Sequence, residues 1–275
     1  DEEVQVLSAP LTSSVMVFLN NSNPILADTK VRQALTHATN VQDIRDLLNF
    51  QPVRSDSPFL KSQFAYNPEI VQLPYDPVKA KALLDEAGWI VGSDGIRAKD
   101  GTPLALRFVS QSLSDYAAIA QVLQKEWAEL GVEIEAILQP EADIQSGALI
   151  RHDYDVLLYG VSIGYDPDVF AYWHSSQNDP NAQTRLNLSE YENDTADEAL
   201  EAGRTRVDTE LRKVKYEPFL KAWRDDAPAI ALYQPRFTML VRGTFEGFNT
   251  GQLKQPVDRY RSISNWKIRN DQIIK

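Results

Sequence analysis

Residues 104–138 read LALRFVSQSLSDYAAIAQVLQKEWAELGVEIEAIL, and the changing apolar period along them decides the fold class. Leu104, Leu106 and Phe108 alternate with Ala105 and Arg107, the period of a strand. Over roughly residues 115–130 the period lengthens: Ile119, Val122, Leu123 and Leu130 fall on one helical face, and Gly131 supplies the stop. Val132, Ile134, Ala136 and Leu138 then alternate with Glu133 and Glu135, a half-exposed strand. Strand, helix, strand at this spacing predicts a right-handed βαβ unit with parallel strands, and so an α/β protein.

Upstream, Val15, Val17 and Leu19 alternate with Met16 and Phe18 in a run apolar on both sides, which suits a buried strand ending at Asn20-Asn21. Asp28 is placed to cap a helix carrying Val31, Ala34, Leu35 and Ala38, and Asn40 to cap a second reaching Ile44, Leu47 and Leu48. A polar, proline-bearing stretch through residue 74 is expected to be extended surface loop. In YDPVKAKALLDEAGW (75–89), Asp76 caps, Pro77 takes the first helical position, and Gly88 ends the helix. SDGIRAKDG (93–101) carries two Asp-Gly turns, a hairpin signal.

Downstream, Tyr154 to Val161 predicts another buried strand, and residues 195–203 and 208–226 predict helices. Tyr216, Phe219, Leu220 and Trp223 share a face of the second, which Pro218 is expected to kink or interrupt. APAIALYQP (227–235) reads as a last buried strand, and the mixed tail has Phe248 and Trp266 as packing anchors.

The chain has 275 residues, 43% hydrophobic and 24% charged, enough for one large domain or two small ones. No run is long and apolar enough to predict a membrane span. The first residues, DEEVQVLSAP, lack the basic and apolar regions of an export leader. A net charge of −11 argues against nucleic acid, which requires a basic surface. Without cysteine there is no disulfide, thiolate metal site or Cys nucleophile.

Catalytic signals are weak. His37, His152 and His174 fall in no metal-ligand spacing, so no metal or other cofactor is predicted. Acid pairs such as Asp166 and Asp168 are expected by chance among 39 acids, and the DPD at 166–168 reads as a turn. No nucleophile elbow or phosphate loop stands between a strand and a helix. YGVSIGYDPDVFAYWHSS (159–176) is the stretch that stands out. Its rings begin at the end of a buried strand, where open α/β sheets bind ligands. A cleft wall and a plain core segment both fit that pattern.

Several stretches taken together resemble one family. FLNNSNPILADTKVRQALTHATN, YDPVKAKALLDEAGW with DGIRAKDG, LQKEWAELGVEIE, YDVLLYGVSIGYDP, YWHSS and DDAPAIALYQP follow one another as in the extracytoplasmic solute-binding proteins of peptide-type ABC transporters, the oligopeptide, dipeptide and nickel-binding family 5. The resemblance covers nearly the whole chain and implies a periplasmic-binding-protein type II fold. The chain would correspond to the second half of such a protein. Residues 1–20 would be a hinge and first-lobe piece, 21–234 the second, ligand-binding lobe, and 235–275 the hinge return and a first-lobe C-terminal piece.

The function implied is binding, not catalysis: capture of a peptide, expected to be an oligopeptide, outside the cytoplasmic membrane by hinge closure and delivery to permease subunits. Partners would be the solute, the permease and the N-terminal lobe of the same protein, without which binding is expected to be weak. A lipoprotein or periplasmic location follows from the same resemblance. A sugar or metal-chelate binder, or a carboxylate-pair hydrolase, are the alternatives. Expected ligand-facing residues are Tyr165, Asp166, Tyr172, Trp173 and His174, with Gln111 and Asn187; Asn20, Asn21, Tyr233 and Gln234 are expected at the hinge. Where peptide-binding relatives carry an Asp for the peptide amine, this sequence has Ile163 and Gly164, and QSLSD (111–115) offers no Arg for a carboxylate.

Overall fold

The computed structural model of the chain describes residues 4–48, 52–179 and 185–269. The first two strands go to different sheets: β1 (Val4–Pro10) pairs outside the main body, and β2 (Ser13–Leu19) runs through its centre. α1 (Thr29–Ala38) and α2 (Val41–Leu47) begin at Asp28 and Asn40, whose side-chain oxygens accept from the amides of Lys30 and Gln42. β3 (Val53–Arg54) is a short edge strand, and α3 (Pro77–Glu86) starts where Asp76 accepts from the Lys79 amide. Gly88 follows at φ +84°, a left-handed conformation that glycine adopts without strain. β4 (Ile90–Val91), β5 (Arg97–Lys99) and β6 (Thr102–Pro103) form the expected antiparallel hairpins.

β7 (Ala105–Gln111), α4 (Ser114–Ala128) and β8 (Glu133–Gln139) make the parallel βαβ unit, in register from Ala105 opposite Glu133 to Gln111 opposite Gln139. Trp127 of α4 is fully buried and donates its indole N–H to Thr39 Oγ1 at 3.0 Å. α5 (Glu141–Asp143), a π turn at Ile144–Ala148 and α6 (Leu149–Arg151) lead into β9 (Val156–Ser162). Then come α7 (Phe170–Trp173), α8 (Asp194–Arg204), α9 (Thr209–Asp226), β10 (Ala229–Gln234), β11 (Arg236–Arg242), β12 (Thr244–Glu246) and β13 (Lys267–Arg269).

The main sheet has six strands in the order β3-β10-β2-β9-β7-β8, with β7 parallel to both β8 and β9, and β2 antiparallel to its neighbours. Strand alternation sends side chains to two cores. Val15, Val17, Phe108, Val156 and Leu158 face α1 to α4, while Met16, Phe18, Val109, Leu157 and Val161 face α8 and α9.

Three expectations need correction. The stretch up to residue 74 is not a surface loop where it is described: Ser55 to Leu60 are buried, and the Gln72 amide bonds both N–H and C=O of Ala231 at 2.8 and 3.1 Å. Those bonds stand in for an edge strand, because β3 pairs with β10 only at Tyr233 and Gln234. Residues 49–51 of that stretch lie outside the described residues. Second, α9 runs through Pro218 without interruption. The carbonyl deprived of a partner belongs to Val214, an exposed residue, where water can replace the lost N–H. Gly203 of α8 permits the close packing of these helices, since any Cβ there would overlap the buried Tyr216 ring.

Third, the break expected at residue 20 is not a sheet boundary. β2 pairs with β9 along its whole length, from Ser13 opposite Ser162 to Leu19 opposite Val156. The chain changes sheets instead at Pro10–Ser13 and at Gln234–Arg236. These passages touch: the Leu11 amide donates to Pro235 O at 2.8 Å, and Gln234 Nε2 donates to Leu11 O at 2.7 Å. Beyond them β1 pairs antiparallel with β11, and β12 with β13. Residues 1–3 and 270–275 of the expected outer pieces lie outside the described residues.

Asn20 and Asn21, expected at the hinge, follow the far end of β2, about 20 Å of strand away from the passage between sheets at Ser13. They tie the end of β2 to the segment before β9 and to the loop at Ser189. Asn20 Nδ2 donates to Tyr154 O at 3.1 Å, and the Asn21 amide donates to Ser189 O at 2.8 Å.

Candidate binding cavity

A concavity of about 380 Å³ opens beside the two passages, at the carboxyl end of β9. β2 contributes Ser13 and Val15, β9 contributes Gly160 to Ser162, α4 contributes Asp115 and Tyr116, and Tyr233, Pro235 and Arg236 close the remaining side. Two local features of the sequence make this space. Gly160 lies directly opposite Val15, and a Cβ there would come 3.2 Å from Tyr116 Oη and 3.7 Å from Val15 Cγ2. The missing side chain leaves the floor open. The second feature is an extra residue in β10. The register shifts between Ala231, opposite Met16, and Tyr233, opposite Val15. Simple alternation would send Tyr233 to the Ala231 face; the bulge turns it to the cavity side.

The walls combine rings with two charges. Burial, reinforced by Tyr159, Glu141 and Asp115, pushes the Tyr116 phenol up to about 12. The Tyr233 phenol is also raised, by burial first and then by Tyr116 and Asp115. Both phenols are therefore neutral at physiological pH, and the Asp115 charge reaches both. Asp115 and Arg236 are the charged residues among those lining the cavity. Arg236 Nε donates to Ser8 Oγ at 2.8 Å. Among the described residues no three His, Cys, Asp or Glu side chains cluster closely enough to hold a metal ion.

The family model for bacterial extracellular solute-binding proteins, family 5 middle, matches residues 1–183. The chain belongs to that family. The oligopeptide-binding protein AppA of Bacillus subtilis is 29% identical over 246 residues, which are 86% of this chain and 44% of that protein. The nickel-binding periplasmic protein of Escherichia coli is 35% identical over 145 residues, half of this chain and 27% of that one. Among solved structures, Bacillus subtilis AppA in complex with a nonapeptide superposes with TM-score 0.83 at 25% identity, covering 97% of this chain and 53% of AppA. NikZ of Campylobacter jejuni in complex with Ni(L-His) superposes with TM-score 0.85 at 28% identity, covering 97% and 54%. The chain thus has the type II periplasmic-binding fold and spans about half the length of the relatives it matches.

In this family 5 chain the residues expected from the aromatic stretch scatter. Tyr165 is exposed, donating its hydroxyl to Gln252 O at 3.1 Å, and Asp166 is exposed in an ion pair with Arg212. Tyr172 is partly buried and donates to Ser162 O at 2.7 Å, behind the cavity wall. Gln111 is partly buried at the end of β7. Tyr233 lines the cavity, and Gln234 bridges the two passages.

Trp173, His174 and Asn187 are buried and do not line this cavity. Trp173 is 1% exposed, stacked on Phe18 at 5.9 Å and edge-on to Trp223 at 5.8 Å, in the core on the face of the sheet away from the cavity. His174 is buried against Phe170 at 4.0 Å, with Nε2 3.3 Å from Glu201. Asn187 is fully buried, donating to His174 O and Tyr191 O and accepting from the Tyr191 amide. Rings serve a core as readily as a cleft, and a loop's composition does not say which face of the sheet it covers.

Ile163 and Gly164, at the position of the missing acid, both donate their amides to Thr12 O at 3.0 Å. They tie the aromatic segment to the passage between sheets. Asp115, Tyr116, Gly160 and Arg236 were not singled out from sequence. Gly160, a lone glycine inside the apolar run LLYGVS, was the available signal, because a strand-interior glycine marks close approach or open space.

Proposed function

We propose that this chain forms one lobe and the hinge strands of the binding component of an ABC importer, which takes up peptides outside the cytoplasmic membrane without altering them chemically. The lobe would run from about β2 to β10, with β1 and β11 to β13 belonging to the hinge and the neighbouring lobe. Its partners would be a peptide, the permease subunits, and the other half found in longer relatives.

One observation carries the reading: the cavity abuts the two adjoining passages between sheets. A rotation taken up at Pro10–Ser13 and Gln234–Arg236 would swing the outer strands over the cavity mouth, the arrangement a hinge-closing binder needs. Gln234 would then be a hinge residue, and Tyr233 would be both hinge-adjacent and in contact with solute. Similarity to the oligopeptide-binding AppA supports a peptide. Similarity to the nickel-binding protein and to NikZ supports a second reading, a metal chelate seated in the same place.

Native mass spectrometry of the full-length protein as purified, followed by calorimetry with the ligand it releases, separates the readings. A co-purified peptide released intact is expected. A nickel or other metal chelate favours the second reading, and release of peptide cleaved by the protein overturns both.

A further inference from the structure

We infer that Tyr165 is a latch across the hinge: its hydroxyl ties the lobe to the outer segment and holds the present hinge angle, which closure over a solute must break. This rests on the reading of the two passages as a hinge, and it concerns what sets that hinge's resting position.

Tyr165 belongs to the lobe and uses its hydroxyl outside it. Oη donates to Gln252 O at 3.1 Å, and Arg261 Nη1 donates to the same phenol oxygen at 3.5 Å. Gln252 and Arg261 lie in the segment between β12 and β13, beyond both passages. Each side of the contact is anchored. On the lobe, Gly164 O accepts from Gln63 Nε2 at 3.2 Å, the Gly164 amide donates to Thr12 O, and the Asp166 carboxylate is held by Arg212. Tyr165 is thus gripped through both of its sequence neighbours while it is itself 47% exposed. On the outer side, the buried Asp258 accepts the Lys254 and Gln255 amides through Oδ2 and holds Arg261 Nη2 at 3.0 Å through Oδ1.

A half-exposed phenol bonded to a carbonyl contributes little to folding, because water serves both groups nearly as well. The same bond placed across a hinge biases an equilibrium. It exists at one angle only, since parting the two oxygens by roughly another half ångström ends it. Rotation at the passages carries Tyr165 with the lobe and Gln252 with the outer strands. The free energy of the bond must be given up before the lobe turns, so it opposes closure and weakens any solute that requires closure.

Single-molecule energy transfer in the full-length protein tests this, with dyes on Glu198→Cys in α8 and Ser264→Cys in the outer segment, both exposed positions. The parent is compared with Tyr165→Phe and with Tyr172→Phe, which removes a similar hydroxyl bond inside the lobe, to Ser162 O. Matched melting curves check that the variants fold. Without solute, Tyr165→Phe is expected to shift the population ratio away from the parental distance roughly threefold or more, and Tyr172→Phe to leave it unchanged. Where pentaalanine or a nickel–histidine chelate moves the parent to a second distance, Tyr165→Phe should need roughly threefold less of it. A parental distribution in solute-free Tyr165→Phe overturns the latch, and so does an equal shift in Tyr172→Phe. In either case, movement of the parent with peptide or chelate leaves the hinge reading standing. One fixed distance in all three proteins, with and without both probes, overturns latch and hinge together.

Discussion

The Arg212 guanidinium forks across the Asp166 carboxylate, with Nη2 2.7 Å from Oδ1 and Nη1 2.8 Å from Oδ2. This pair fastens the segment after β9 to the start of α9, and the Arg212 guanidinium also lies 5.0 Å from the Phe64 ring. The hydrogen bonds from Arg212 hold the Asp166 carboxyl below its ordinary range, against a smaller opposing push from burial. A depressed carboxyl contributes stability above its unfolded value, near pH 4, and loses it as pH falls through the folded value. Because 56% of the Asp166 side chain is exposed, the contribution is about 1 kcal/mol or less. Asp166→Asn should lower the melting temperature by roughly 2–4 °C at pH 7, and the difference from the parent should shrink toward zero below pH 3. An equal difference at both pH values would show that the ion pair is not its source.

Trp173 gives a sharper test of which rings are core. Its ring is sealed between Phe18 and Trp223, so Trp173→Ala opens a cavity and should cost about 3–5 kcal/mol in urea unfolding. Tyr172→Phe, which removes only the hydroxyl bond to Ser162 O, should cost about 1 kcal/mol. A small loss at Trp173 would return that residue to the list of ligand contacts.

The contrast between these neighbours shows what the sequence made legible. Period and caps located β2, α1, α3, the βαβ unit and β10, because Asp28, Asp76 and the alternation around Val17 act locally. The cavity was not legible because it depends on pairings distant in sequence. Val15 faces Gly160 only once β2 and β9 are in register, and Tyr233 faces Val15 only through a bulge that no composition announces. The burial of Trp173 was not legible for a related reason. Tyr165 is exposed and Tyr172 lies partly buried at the edge of the core that Trp173 enters, so neighbours in one short segment differ in exposure.

Glu126 supplies a prediction with the opposite pH sign to Asp166. Its Oε2 accepts from the Asn40 amide at 3.1 Å, at the start of α2. Burial raises its carboxyl to about 7, with Asp43 and Glu129 adding to the rise and the Asn40 amide opposing it. A carboxyl raised above its unfolded value binds more protons folded than unfolded. Its contribution is present below about pH 4.5 and is lost as pH climbs through 7. The ceiling on that loss is about 3 kcal/mol, and about half that once solvent screening of a half-exposed group is counted. Glu126→Gln keeps an acceptor for Asn40 and removes the titration. It should flatten the fall in stability between pH 5 and 8 and raise stability at pH 8. Parallel curves for variant and parent would remove Glu126 as the cause.

Two glycines separate space for a ligand from space for packing. At Gly203 a side chain would strike the buried Tyr216 ring, so Gly203→Ala should destabilise the protein by about 1–3 kcal/mol. Full-length protein that remains folded should bind solute as before, since α8 packs in the core on the other face of the sheet and contributes nothing to the cavity lining. At Gly160 the nearest atom is Tyr116 Oη, at 3.2 Å, and beyond it is the cavity. Gly160→Leu gains strand propensity, worth a few tenths to about 1 kcal/mol, which offsets the displacement of the phenol. Its melting temperature should stay within about 4 °C of the parent, while affinity for the co-purified solute should fall roughly tenfold or more, because the side chain occupies the space the solute needs. Gly160→Leu protein that folds and binds with parental affinity would place the solute elsewhere on this lobe, and Tyr116 and Tyr233 would lose their assignment with it.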